Sequence, residues 1–339
     1  MIHLTTIREV ARQLNISITT VSRALDGYSD VAEDTRLLVI KTAQEMGYTP
    51  NRAARQLRRQ VSDTIGYILP AHAPQFADPF FSEFVTGLGD EAALHNFDLL
   101  ISTAAPDSDS EKNGYERWAQ GRKVDGLVLN RMRLHDWRVQ YLVRTGLPFV
   151  SLERTLDESD QASVEVDGRA GFKMLMAYLI AKGHKRIAYI GGPRNLKIQA
   201  DRFDGYKKGL VAAGIPYDPK LVVEGDTFRG GGYQAAQRLL DLQPTPTAIT
   251  CINDLTAIGV LHAASEGGLK VGRDLAVAGF DGIEDAEHTS PPLTTLNQPL
   301  YEIAGKLVKM LVATIQNLPL EERRIQLQPE LLIRESTGG

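Results

Sequence analysis

Arg23 falls in a short helical stretch between Ser17 and Leu25, on the side turned away from the apolar positions Val21 and Leu25, and Ile18, Thr19 and Ser22 share that side. A guanidinium so placed can donate two parallel hydrogen bonds to O6 and N7 of a guanine, and a threonine can reach a base edge or a phosphate. Catalytic chemistry has no comparable set. The seven histidines include no pair at metal-ligand spacing, and Cys251 lies in an apolar run without a nearby histidine signature. No GxSxG elbow occurs. Gly191-Gly192 and Gly230-Gly231-Gly232 lack the GxGxxG spacing and the acidic residue of a dinucleotide site, and are expected to be turns. The expectation is a protein with no catalytic residue, metal or cofactor, and not an enzyme.

The elements that would position Arg23 are short helices. Thr6-Ile7-Arg8-Glu9 has the form of a capping box, and Ile7, Val10, Ala11 and Leu14 follow at i, i+3, i+4 and i+7 before Asn15 ends the stripe. Ser17 is a good cap for a second short helix that Asp26-Gly27 closes. A third, from about Ala32 to Met46, carries Val39, Ile40, Ala43 and Met46 on one face and stops at Gly47. Two short helices a few residues apart, with a third to close a small core, predict a helix-turn-helix domain. The next stretch, NRAARQLRRQ from Asn51, has four arginines and a single leucine, Leu57. It carries too little apolar surface to fold alone and reads as a hinge that orders against a partner such as DNA phosphates.

Charge supports this division. The chain has 339 residues and a formal net charge of −4, yet residues 1–60 hold nine Lys/Arg against six Asp/Glu, and the remainder 29 against 36. A small basic module therefore precedes a large acidic one. Hydrophobic residues make up 43% and charged residues 24%, an ordinary globular balance. The start alternates charged and apolar positions, unlike a signal peptide, and no run reaches the length of a membrane helix. With one cysteine, no internal disulfide is possible, and a cytoplasmic setting with no membrane partner is expected.

From residue 63 onward, apolar runs (TIGYILP, FDLLIST, VDGLVLN, PFVSLE, RIAYIGG, AITCI, LAVAGFD) alternate with helical patterns. This alternation specifies a parallel α/β sheet with helices on both faces, and its length suggests two lobes.

The segments TIREVARQLNISITTVSRALDG (Thr6–Gly27) and VAEDTRLLVIKTAQEMGYTPNRAARQL (Val31–Leu57) closely resemble the headpiece and hinge of the lac-repressor/galactose-repressor family of transcription regulators. The resemblance continues through KGHKRIAYIGGP (Lys182–Pro193), ADRFDGYKKGL around Arg202, INDLTAIG (Ile252–Gly259) and VAGFDGIEDAEHTSPPLTTLNQP (Val277–Pro299), and so covers most of the chain. It implies an α/β protein with a small all-α helix-turn-helix headpiece. The body implied is like a periplasmic binding protein, with two doubly wound parallel-sheet lobes joined by three crossovers. The expected divisions are 1–50 for the headpiece, 51–62 for the hinge, and 63–339 for the effector-binding body. The body's N-lobe is placed at about 63–161 and 292–323, and its C-lobe at about 162–291 and 324–339.

The resemblance also implies site residues. DNA contacts fall to Thr6, Ser17, Ile18, Thr19, Thr20, Ser22 and Arg23, and in the hinge to Asn51, Arg52, Ala54 and Leu57, the last as an apolar wedge that opens a base step at the operator centre. Arg202, Asn253 and Asp281 match the family's cleft residues, and as two donors and an acceptor they suit a polyol. Asp281 could instead cap the following helix. In FADPFFSEF (Phe76–Phe84), Phe80 is the candidate ring against a sugar face and Asp78 a polar contact, with Phe81 and Phe84 in the core, and Glu153 is a further contact. In EGDTFRGGGY the family usually has an aromatic where this chain has Thr227. Either the stacking platform is missing, or the register shifts by one and Phe228 supplies it. The partners implied are double-stranded, pseudo-palindromic operator DNA, a sugar effector and a second copy of the chain. A co-repressing, purine-like ligand and a solute-binding receptor are the alternatives.

Overall fold

The computed structural model describes residues 5–48, 61–70, 79–157 and 160–338. Asn51, Arg52, Ala54, Leu57 and Asp78 lie outside the described residues. The chain divides after Ser62 into two compact units.

Among its described residues, the first unit is three helices around a small core. Helix α1 (Ile7–Leu14) starts where the Thr6 amide donates to Glu9 Oε2 at 2.7 Å and the Thr6 hydroxyl reaches the same oxygen at 2.9 Å, and it ends on Asn15, whose φ is 52°. Helix α2 (Ile18–Leu25) is capped by Ser17, whose Oγ accepts from the Thr20 amide at 2.9 Å. Helix α3 (Glu33–Glu45) places Glu33 and Asp34 in its first turn, where they complement the helix dipole. Val10, Ala11, Val21, Ala24, Val31, Val39 and Ala43 are buried together, with Ile7, Leu14, Leu25 and Met46 packed around them.

The second unit contains two six-stranded sheets. The N-lobe strands are β1 (Thr64–Pro70), β2 (Asp98–Ala104), β3 (Gly126–Leu129), β4 (Phe149–Leu152), β5 (Ala162–Val166) and β11 (Arg324–Leu327), in the order β11-β5-β4-β3-β1-β2 and all parallel. The C-lobe strands are β6 (Ile187–Gly191), β7 (Val222–Glu224), β8 (Ala248–Cys251), β9 (Ala276–Asp281), β10 (Thr294–Asn297) and β12 (Glu330–Leu332), in the order β12-β10-β9-β8-β6-β7, with only β12 antiparallel. Parallel strands need crossover helices. These are α4 (Pro79–Leu94), α5 (Asp109–Gln120), α6 (Trp137–Thr145) and α11 (Leu300–Ile315) on the N-lobe, and α7 (Gly168–Ala181), α8 (Lys197–Ala212), α9 (Arg229–Leu240) and α10 (Asp254–Glu266) on the C-lobe.

The chain changes lobes three times, but not where the resemblance places the changes. Residues 162–166 and 324–327 pair within the N-lobe sheet and 294–297 within the C-lobe sheet, so three strands belong to the lobe opposite to the one expected. Each change follows a completed strand, because the chain is free to leave a sheet only once its ladder hydrogen bonds are made.

Gly230-Gly231-Gly232 is also not a turn; it lies in the first turn of α9. A Cβ on Gly232 would come within 2.2 Å of the Thr256 carbonyl oxygen, and one on Gly259 within 2.1 Å of the Arg229 carbonyl oxygen. Helices α9 and α10 thus touch backbone to backbone at two reciprocal glycines. Gly259→Ala is expected to destabilise the body by about 3 kcal/mol, since neither carbonyl can swing away without breaking its helix. Urea unfolding measures this, and an unchanged midpoint would contradict it.

Candidate functional site

The carboxyl ends of both sheets converge on one cavity, as expected for doubly wound sheets. Phe80 and Phe81 of α4, Arg131 after β3 and Leu152 and Glu153 at the end of β4 line it from the N-lobe. Ile198 and Arg202 of α8, Thr227, Ile252 and Asn253 after β8, and Asp281 at the end of β9 line it from the C-lobe, with Gln298 on the second lobe-to-lobe connection. Its free volume is about 50 Å³, room for only a few water-sized groups.

Arg202 is the centre of the polar network. It is 4% exposed, its guanidinium carbon lies 3.6 Å from the centroid of the Phe280 ring, and its NH1 donates to the Ile252 carbonyl. The same group lies 3.5 Å from Asp281 Oδ1, which also accepts from Gln298 Nε2 at 2.8 Å. The Arg202 Nε is buried and unpartnered. Glu153 is half-buried, and its Oε2 is a buried atom without a partner. Burial pushes its carboxyl up to about 8, against the pull of Arg202 and Lys197, so it is largely neutral at pH 7. Two buried polar atoms without partners, one on each side of the cavity, would be costly unless something there uses them.

Backbone strain gathers at the same place. Of the non-glycine residues with positive φ, Arg131 (48°), Glu153 (73°), Thr227 (73°) and Asp281 (124°) all line the cavity. Such conformations cluster where side-chain direction matters more than local stability.

The lobes are tied beside the cavity. The Leu134 amide donates to the Asn195 carbonyl at 2.8 Å and the Lys197 amide to the Met132 carbonyl at 2.9 Å, while Arg131 NH1 reaches Thr227 Oγ1 at 3.4 Å. Loop 130–136 itself rests on an ion cluster that is buried except at Asp107: Arg133 contacts Asp107 and Glu111 at 2.7 Å each, and Arg138 contacts Asp136 at 2.6 Å.

Phe80, Glu153, Arg202, Asn253 and Asp281 are thus brought together, and Phe228 is not. The Asp226 carboxylate accepts from the Phe228 amide at 2.8 Å, and the positive φ of Thr227 turns Phe228 onto the C-lobe's apolar cluster. Thr227 faces the cavity, so the platform expected from Phe228 is absent. Asn253 does double duty: its Oδ1 caps α10 by accepting from the Thr256 amide at 3.1 Å, and its Nδ2 donates to the Thr227 carbonyl at 2.9 Å. Asp281 caps no helix. The buried carboxylate that ties β9 to α10 is Asp254, which accepts from the Gly282 and Ile283 amides at 2.7 and 3.0 Å. Phe84 is core, whereas Phe81, expected only in the core, also lines the cavity. Arg131 and Gln298 were missed by sequence reasoning. Both follow a strand's carboxyl end, the signal that would have found them.

In the headpiece Ile18 is 45% exposed, and Thr6, Ser17 and Thr19 are exposed. Thr20 is half-buried, with its hydroxyl 2.8 Å from Ser17 Oγ. Ser22 contradicts the expectation: it is 6% exposed and donates to Asp26 Oδ2 at 3.4 Å. It stands at i−3 from Leu25, which packs on the headpiece core, and so borders the inward stripe rather than lying opposite it.

A helix-turn-helix unit joined to a two-lobed α/β body with a polar interlobe cleft defines the class of ligand-responsive DNA-binding regulators. Residues 6–51 match the description "Bacterial regulatory proteins, lacI family" and residues 176–337 match "Periplasmic binding protein-like domain". The chain is 35% identical over 333 residues to the HTH-type transcriptional repressor CytR of Escherichia coli (strain K12), covering 98% of this chain and 96% of that protein. Among solved structures, a transcriptional regulator CelR–cellobiose complex is 32% identical with a TM-score of 0.76, over 98% of this chain and 99% of that one. The lac repressor dimer bound to operator and the anti-inducer ONPF is 28% identical with a TM-score of 0.82, over 99% of each chain. The chain belongs to the lacI family of bacterial transcription regulators. Its relatives are DNA-binding regulators and not enzymes. Among the described residues no helix is long and apolar enough to cross a membrane, and no cluster of metal-ligating side chains occurs.

Proposed function

We propose that this protein is a homodimeric, cytoplasmic transcription repressor whose grip on operator DNA is set by a sugar bound in the interlobe cleft. The observation that carries this reading is the convergence of Arg202, Asn253, Asp281 and Glu153 on one cavity, a donor–acceptor set suited to a polyol, beside Phe80. The similarity to a cellobiose-bound regulator supports a carbohydrate. The headpiece (1–50) reads a half-site with Ile18, Thr19 and Arg23. The hinge (51–62), with Asn51, Arg52, Ala54 and Leu57, orders in the minor groove at the operator centre. Two copies grip a pseudo-palindrome with half-sites about one helical turn apart. The sugar enters only when the lobes part, because the cavity is smaller than a sugar ring. It controls the DNA by binding one lobe arrangement better than the other.

Selection from a random DNA library tests the operator half of this reading. It is expected to return a palindrome bound by two chains, with a central step whose preference is lost in Leu57→Ala. A non-palindromic site bound by one chain would contradict it.

A further inference from the structure

Arg23 is held on two sides in the described structure. Its Nε donates to Asp30 Oδ1 at 3.2 Å and its NH2 to Asp30 Oδ2 at 2.5 Å, so the carboxylate grips one edge of the guanidinium. The guanidinium carbon also lies 4.6 Å from the centroid of the Tyr28 ring. The segment carrying both partners is itself pinned: Arg36 of α3 donates to the carbonyls of Tyr28 at 2.8 Å and Val31 at 3.5 Å, and Val31 belongs to the headpiece core.

Stability does not account for this arrangement. The pair is 41% and 56% exposed, and exposed ion pairs contribute little to folding. An acid on the face that meets DNA also repels phosphates. Yet the grip leaves something in place: with Nε and NH2 turned to Asp30, the opposite edge, formed by NH1 and the second NH2 hydrogen, stays available as a fork. That fork matches O6 and N7 of a guanine.

We propose that Asp30 is a positioning residue for base reading, holding the Arg23 guanidinium by one edge against the Tyr28 ring so that its other edge is aimed at a single guanine. The proposal rests on the reading of α2 as the recognition helix. An arginine oriented beforehand loses less rotamer freedom on binding, which favours the specific complex. The same carboxylate disfavours complexes in which Arg23 finds no guanine, because the cost of bringing an acid near phosphates is then offset by no base contact. Specificity is a difference of affinities, and Asp30 acts on both sides of it.

The test uses the full-length protein, its selected operator and fluorescence anisotropy at one salt concentration. Arg23→Ala first identifies the guanine that Arg23 reads, as the position where base preference disappears. Asp30→Ala and Asp30→Asn are then expected to lower discrimination at that base pair about tenfold, leave other positions unchanged, and tighten binding to non-operator DNA. The Asn variant keeps the side chain's size, so a folding defect confined to Asp30→Ala leaves the comparison intact. Unchanged discrimination at that base pair in Asp30→Asn would overturn the proposal. So would equal tightening on operator and non-operator DNA, which would make Asp30 a competitor for Arg23. If Arg23→Ala changes preference at no base pair, the recognition-helix reading itself fails, an outcome separate from failure of the Asp30 variants alone.

Discussion

Arg202→Ala is expected to abolish effector control while the protein still binds its operator. Arg202 offers the cavity a charged donor, and a hydrogen bond from a charged group is worth about 1.5–3 kcal/mol. Its loss also removes the packing over Phe280 and the cation 3.5 Å from Asp281, which is 8% exposed. Effector affinity should therefore fall by about 10- to 150-fold. Leaving a buried carboxylate without its cation should cost the body about 3–5 kcal/mol of stability. Calorimetric titration with the effector and urea unfolding read the two effects separately. Wild-type effector affinity in this variant would remove Arg202 from the site.

The second large effect is a dependence of effector binding on pH through Glu153. Its folded value is raised to about 8 by burial, above its unfolded value. Its contribution to stability is therefore fully present below the ordinary carboxylate range and is lost as pH rises through about 8. Asp254 acts in the same direction with a value near 6, its shift limited by Thr295 and the amides of Gly282 and Ile283. Sugar hydroxyls donating to Glu153 favour its ionised form, so binding expels a proton. Affinity should then strengthen by up to about tenfold per pH unit as pH approaches 8 and level off above it. Glu153→Gln should flatten this profile and make the protein more stable than wild type above pH 8. A pH-independent wild-type affinity across this range would contradict the assignment.

The headpiece was legible in the sequence because its caps and stripes are local: Thr6 with Glu9, Ser17 with Thr20, and Val10 and Ala11 inside all follow from spacing over a turn or two. Ser22 was misplaced because a hydroxyl was assumed to face outward, although its position on the helix borders the inward stripe. The alternation of the body was equally plain, but lobe membership was not. A buried parallel strand such as Ala162–Val166 or Thr294–Asn297 has the same apolar composition whichever sheet it joins, and only long-range pairing decides.

The candidate site was readable where a motif carried it, at Arg202, Asn253 and Asp281. It failed where one backbone angle decides. At Thr227 a left-handed φ sends Phe228 to the core instead of the cleft, and nothing in the local composition announces that angle. Arg131 was overlooked because its role depends on Thr227, which lies 96 residues away in sequence.

The central claim, that a polyol in the interlobe cleft sets operator affinity, is tested most directly by anisotropy of the labelled operator complex titrated with a panel of hexoses and disaccharides that includes cellobiose. At least one compound is expected to change operator affinity by about 5- to 150-fold, and the same compound to have no effect on Arg202→Ala. A sugar that binds the wild-type protein by calorimetry yet leaves operator affinity unchanged, or one that acts equally on Arg202→Ala, would contradict it.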